Sequence, residues 1–559
     1  MHALSLFSSL DLRDALVFVL SGALGTYLIY KKYEIQPSSY LITLSLLAVT
    51  PFFCSSFLVS HFKTTTLAYA IGFSLFYASL LSNIIIYRLS PWHPLAKYPG
   101  PLLAKVSKYW IIRVVRRGEL HRTIMDLHRI YGPYVRTGPN ELSIVDADNL
   151  SALLAPDMPR GPIWDGRVNP DAPASLISSR SSKEHAKKRV PWNHAFSSAS
   201  IREYQVTITV RVRQLVGELK KRADRGEALN IVPWLSYFAF DFMGDMAFGG
   251  AFEFMSDGDK EGIIGLMMER IDSSAWQQHI PWATRLLLRL PFVTNKIIKF
   301  RRFTIQCAKQ RHTRGSQYKD LFYYLSNEGS DDPSKFNLTE AVANGELAII
   351  AGSDTTSTTL SGVFYYLLTN PKCYNRLQAE LDSVFPLNEG EPDPSKFPQL
   401  TYLNAVINET LRLQPPLPTT LHRAPEKGSG GKWIGKHFFN EGTAINVPPY
   451  VLHRDERYFS PSTDSFWPDR WLVPELRDFS VLGKENNDLP VITNTSAFIP
   501  FSIGHANCAG KRLALAEMRT VIAFLLHHFD MCLAEGININ MSLGLVLNTS
   551  FMHKQNYQP

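Results

Sequence analysis

The chain has 559 residues, of which 45% are hydrophobic and 19% charged, with a net charge of +8. That is ample for a large core, and no block of like charges suits nucleic acid. The five cysteines, Cys54, Cys307, Cys373, Cys508 and Cys532, are widely spaced and form no CxxC pair, which excludes a zinc ribbon or a disulfide framework and fits a reducing compartment.

Three apolar stretches open the chain, at residues 15–30, 40–62 and 67–87. The second and third, with 23 and 21 residues, are long enough to cross a hydrocarbon core of roughly 30 Å; the first, with 16, is marginal. Asp11 and Asp14 precede the first stretch and argue against a cleaved signal, which begins with positive charge. Lys31 and Lys32 follow stretch one, and Arg88, Lys97, Lys105 and Lys108 follow stretch three. The positive-inside rule then predicts three crossings, a luminal amino terminus and a cytosolic catalytic region. Residues 1–90 therefore read as a membrane anchor of up to three helices. Residues 91–101, rich in proline (Pro91, Pro94, Pro99, Pro101), read as a stiff hinge. From residue 102 to 559 the pattern is mainly helical, as at 201–223 and 338–368, with strand-like pieces at 134–144 and 444–447.

Four motifs carry chemistry. The strongest is Phe501-Ser-Ile-Gly504-His-Ala-Asn-Cys508-Ala-Gly510 followed by a helical run. A chance match to FxxGxxxCxG in such a chain is on the order of one in a thousand. A thiolate ligand must be held deprotonated and aimed at its metal; glycines let backbone N–H groups approach the sulfur, and the following helix adds a positive dipole end. The second is Ala351-Gly352-Ser353-Asp354-Thr355-Thr356 inside a long apolar helix, where a glycine and small polar residues loosen the ladder. An acid beside an alcohol can relay protons; Thr356, one position on, turns about 100° away. The plainer alternative is a threonine bonded to its own turn. The third is Glu409-Thr-Leu-Arg412, an i,i+3 pair, with Phe466-Trp-Pro468-Asp-Arg470-Trp471 downstream. The fourth is His185-Ala-Lys-Lys-Arg189, with Arg423 and His453 further on.

Together these motifs resemble the cytochrome P-450 family over about residues 99 to 559, in the family's order, and the style resembles its fungal microsomal members. The resemblance implies a mainly α fold with a small β region behind amino-terminal transmembrane helices. It implies haem b, with Cys508 as axial ligand to the iron and Phe501, Gly504 and Gly510 shaping the ligand loop. Asp354 and Thr355 take the family's proton-relay positions. His185 (in place of the family's Trp), Arg189, Arg423 and His453 take positions near the haem carboxylates, where arginine binds bidentately. Glu409, Arg412 and Arg470 become a buried ion cluster that locks the fold. One departure stands out: the family's Arg two residues before the cysteine is Ala506, so a propionate contact is missing or His505 supplies it. The implied reaction inserts one atom of O2 into a lipophilic molecule at an endoplasmic-reticulum membrane. Electrons come from NADPH through a separate cytochrome P-450 reductase, with cytochrome b5 as a second donor, since no GxGxxG is present. The segments expected to shape the pocket carry Trp164, Trp234, Phe238, Phe240, Trp276 and Trp282. Rival readings are an isomerase or dehydratase on the same haem, which would not need the Asp354–Thr355 pair, and a haem scaffold or sensor without turnover.

Overall fold

The computed structural model describes residues 10–33, 40–167, 175–226, 228–281, 283–284, 291–328, 337–419, 421–482, 490–534 and 548–553. Its amino-terminal part is a small helical bundle. Helices α1 (Leu12–Lys32) and α2 (Thr65–Leu89) are long and apolar enough to cross a membrane. They run parallel: Lys31 lies 3.7 Å over the Tyr87 ring at one end, and His61 Nε2 bonds Leu10 O at 2.9 Å at the other. The segment between them runs back the opposite way, with Phe52 stacked on Tyr69 at 4.8 Å and Tyr77 donating to Leu47 O. This middle element is shorter than the span expected over 40–62. It comprises Tyr40–Leu44, a π turn at Ser45–Val49, and Thr50–Ser56, about 25 Å of helix at 1.5 Å per residue. Pro51 cannot donate to the ladder, which widens into the π turn just before it. Small residues bring the three together: a Cβ at Gly22 would meet Cys54 Sγ at 2.6 Å, and one at Gly72 would meet the Ser55 side chain.

The proline-rich segment packs against the body that follows it. His93, Leu95 and Tyr98 are buried. The Arg136 N–H donates to Pro99 O at 2.7 Å, and the Arg136 guanidinium, 1% exposed, donates to Arg88 O at 3.1 Å.

Beyond it a four-stranded sheet sits beside a larger helical body. The expected strand over 134–144 is a hairpin of β1 (Tyr134–Gly138) and β2 (Glu141–Ile144), turned at Pro139-Asn140. The order is β1-β2-β4-β3, with β3 at Leu421–Arg423 and β4 at Ala444–Val447. β2 and β4 are parallel (Leu142↔Ile445), and β3 pairs antiparallel with β4 (Arg423↔Ile445).

The main core lies among α3 (Ser182–Ala195), α4 (Ser198–Ala223), α5 (Ile231–Phe248), α6 (Ile263–Gln277), α7 (Leu338–Thr369), α8 (Thr401–Leu413) and α9 (Lys511–His528). The central helix α7 packs on α5, whose buried residues run almost unbroken from Phe238 to Phe248. A helix apolar on all sides belongs in the middle of a large core.

Candidate functional site

The loop 501–510 enters α9 with Gly510 as its cap residue. The Cys508 N–H donates to Phe501 O at 2.8 Å, closing the loop on itself. Gly504 has φ +74, and a Cβ there would stand 2.9 Å from Leu154 O, so this position needs glycine. Cys508 is open to a cavity of about 260 Å³. Surrounding protein raises the free thiol's pKa, opposed by the N–H groups of Gly510 and Lys511 and the charge of Arg189.

Helix α7 lines the cavity with Ala351, Gly352, Thr355 and Thr356. One sequence expectation changes here. Thr356 does not turn away; both threonines line the cavity, because its wall takes in a broad arc of the helix. Asp354 does not line it; its carboxyl is raised by burial and by the nearby Asp272 of α6. The Thr355 hydroxyl donates to Ala351 O at 2.6 Å, the bond to its own turn.

At the cavity edge four cationic or imidazole groups gather: Arg160, His185, Arg189 and Arg423. Arg160 is the residue that sequence reasoning missed. It stands in a loop with no motif, and only its β-bridge to Arg423 brings it here. Its guanidinium donates to Leu176 O at 3.1 Å and Ser179 O at 3.3 Å. Arg189 donates to Asn507 O at 2.6 Å and Asn507 Oδ1 at 2.9 Å, tying α3 to the cysteine loop. Arg423 is 4% exposed, and its Nε has no partner. His185 is buried, its Nε2 unpartnered, its ring edge-on to His505 at 5.7 Å. Burial presses these groups toward their neutral forms, with neighbouring cations adding to it at His185 and Arg160: His185 to about 3, Arg160 to about 9 and Arg423 to about 10. None of the three arginines pairs with a carboxylate among the described residues. Buried cations without counter-charges are costly, so such a cluster is built for a polyanion. The acid in the cavity wall, Glu517, is 1% exposed with an unpartnered Oε2, and burial pushes its carboxyl well above the ordinary carboxylate range.

His453 falls elsewhere. It is fully buried, is not part of the cavity wall, and its Nε2 accepts from the Ile499 N–H at 2.9 Å. It belongs with the ion cluster, since Arg412 donates to His453 O at 2.9 Å. In that cluster Glu409 accepts from Arg412 at 2.8 and 2.9 Å and from Arg470 at 3.0 Å. The Trp467 N–H and the Trp471 indole complete the carboxylate's shell, at 3.0 and 2.9 Å. The charges are 0–1% exposed. Of the aromatics expected in the pocket, Trp164 lines the cavity; Phe238 and Phe240 are in the α5 core, Trp234 lies under Arg222 at 4.1 Å, Trp276 is not in the cavity wall, and Trp282 lies outside the described residues.

An exposed thiol, a cluster of arginines at the cavity edge and a helix that lines the same cavity with two threonines are the features of a haem-thiolate site. The match to the family described as cytochrome P450 covers residues 99–558. The cytochrome P450 monooxygenase FCK2 of Fusarium pseudograminearum is 32% identical over 483 residues, 85% of this chain and 83% of that protein. Cytochrome P450 67 of Uromyces fabae is 34% identical over 464 residues, covering 82% and 83%. The tryprostatin B 6-hydroxylase of Aspergillus fumigatus is 30% identical over 489 residues, covering 86% and 82%. The chain belongs to the cytochrome P450 monooxygenase family.

Proposed function

We propose that the protein is a membrane-anchored monooxygenase that binds haem b through Cys508 and hydroxylates a lipophilic small molecule. The observation that carries this reading is the Cys508 sulfur open to a cavity whose edge holds three arginines that pair with no carboxylate among the described residues. Bound there, the haem would supply reductive activation of O2. Arg160, Arg189, Arg423 and His185 would hold its two propionates, Arg160 taking the place left by Ala506. Phe501 and the loop N–H groups would shield the sulfur. Thr355 would swing its hydroxyl from Ala351 O into the cavity to donate a proton, and Asp354, carrying a raised pKa, would resupply it from the α6 side.

Retention of both Asp354 and Thr355 favours oxygen chemistry over isomerisation. Electrons would come from NADPH through a separate reductase, with cytochrome b5 as a second donor. The anchor supports a cytosolic haem domain on the endoplasmic reticulum: parallel α1 and α2, with a short return helix between them, bring Lys31, Lys32 and Arg88 to one end. The test is reconstitution with a P450 reductase, NADPH and labelled O2 over a library of lipophilic compounds. Product carrying one labelled oxygen supports the proposal. NADPH-independent turnover of a substrate would favour the isomerase reading, and haem binding without turnover the sensor reading.

A further inference from the structure

The chain has no acidic residue between Glu34 and Glu119, yet Lys97, Lys105, Lys108, Arg113, Arg116 and Arg117 follow α2 closely. Lys108 pairs with Glu141. Arg113, Arg116 and Arg117 are exposed and pair with no carboxylate among the described residues. Helix Tyr109–Arg116 turns Ile111 into the protein, and Tyr109, Arg113 and Arg116, at i, i+4 and i+7, share its outer face. The turn Leu102–Val106 packs against both this helix and α2. Trp92, Leu102, Leu103 and Tyr109 are 66–84% exposed. Large apolar side chains gathered beside unpaired cations mark an interaction surface.

The fold sets the level of this surface. Arg88, in the last turn of α2, donates to Val106 O at 2.5 Å. Arg136, itself donating to Pro139 O at 2.8 Å, donates to Arg88 O at 3.1 Å. The turn therefore stays at the end of α2, beside Lys31 and Lys32 of α1. Where α2 leaves a hydrocarbon core, the neighbouring layer is the polar headgroup region, roughly 5–8 Å deep on each side. Tryptophan, tyrosine and leucine suit its inner edge, and guanidiniums suit its phosphates. A surplus of unpaired cations favours lipid of net negative charge, worth roughly fivefold in surface occupancy for each basic residue near it.

We infer that residues 92–117 dock the body of the protein on anionic phospholipid headgroups, with Arg113, Arg116 and Arg117 taking the phosphates and Trp92, Leu102 and Leu103 entering the interface. The inference rests on the membrane-anchor reading above and adds to it a lipid-selective contact outside the spanning helices. The test places the full-length protein in lipid nanodiscs of phosphatidylcholine, alone or mixed with phosphatidylserine, and follows amide hydrogen exchange by mass spectrometry. Exchange over residues 102–117 should be about fivefold slower in the anionic discs, and high salt should remove the difference. Arg113→Gln combined with Arg116→Gln should remove it too. Lys309→Gln combined with Lys319→Gln makes the same change of charge on exposed residues at and beyond the carboxyl end of helix Pro291–Arg314, and should keep it. Equal exchange in the two lipids, which a face kept for an acidic protein would give, overturns the inference. So does a difference that survives the arginine substitutions, or one that the lysine substitutions remove equally. Unprotected amides along α1 and α2 in the discs would overturn the anchor reading, and this inference with it.

Discussion

Thr355 shows how far a motif carries at the scale of one residue. Its match to the relay pattern was legible from Ala351 to Thr356, and so was the alternative that the structure shows, a hydroxyl bonded to its own turn at Ala351 O. Replacing the alcohol should leave substrate binding and NADPH consumption near wild type while product per NADPH falls about tenfold, within the range of general acid–base effects. Hydrogen peroxide should rise in step. The control is Ser353→Ala, since Ser353 is buried against Ala239 O at 3.3 Å and not against the cavity. Equal coupling in Thr355→Ala and the parent would remove Thr355 from the relay. Gly504 is a second single-residue case. Its φ of +74 and the 2.9 Å approach to Leu154 O mean that Gly504→Ala strains the loop by about 1 kcal/mol or more. Haem content after purification should drop, and unchanged content would show that the loop tolerates a Cβ. Arg160 and Glu517 mark what could not be read: neither stands in a recognisable pattern, and each acquires meaning only from the surfaces the fold brings against it.

Among the elements, the long helices and the β-strand edges were visible because apolar spacing and Gly/Pro punctuation are local. The middle anchor segment was over-read for a related reason. Its composition is largely apolar, but the helix stops at Ser56, where the Ser55 and Ser56 hydroxyls turn back to the carbonyls of Pro51 and Phe53. The pairing of α8 with the segment carrying Arg470 is the element-scale feature with the clearest energetic signature. Burial raises Glu409, but Arg412 and Arg470 outweigh it and hold the carboxyl down to about 2. A depressed carboxylate contributes stability that is full above its unfolded value and lost as pH falls through the folded one. The cluster's contribution, roughly 3 kcal/mol by linkage, should therefore disappear between about pH 4.5 and pH 2. In Glu409→Gln two guanidiniums at 0–1% exposure lose their counter-charge, which should lower stability at pH 7 by about 3–5 kcal/mol. The melting temperature of that variant should also fall less between pH 5 and pH 3 than the parent's. Parallel pH profiles for the two would contradict the assignment.

For the whole molecule, the division between the apolar amino-terminal helices and the body that follows was plain in composition, and the proline-rich joint between them is packed. Arg136 reaches Arg88 O at the end of α2, and Arg88 donates to Val106 O. A chain beginning at Lys97 should lose most membrane association in a flotation assay and still bind haem. It should also melt a few degrees lower, because the 1%-exposed Arg136 guanidinium loses one acceptor. Full-length protein that stays soluble without detergent would contradict the anchor.

The proposed haem-thiolate centre depends on the Cys508 sulfur as the iron's ligand. Its most direct test is the spectrum of the reduced, CO-bound full-length protein beside that of Cys508→Ser. The parent should show the red-shifted Soret band of thiolate ligation, and the serine variant should lack it whether or not haem is retained. A Cys508→Ser protein that keeps the red-shifted band would contradict the account.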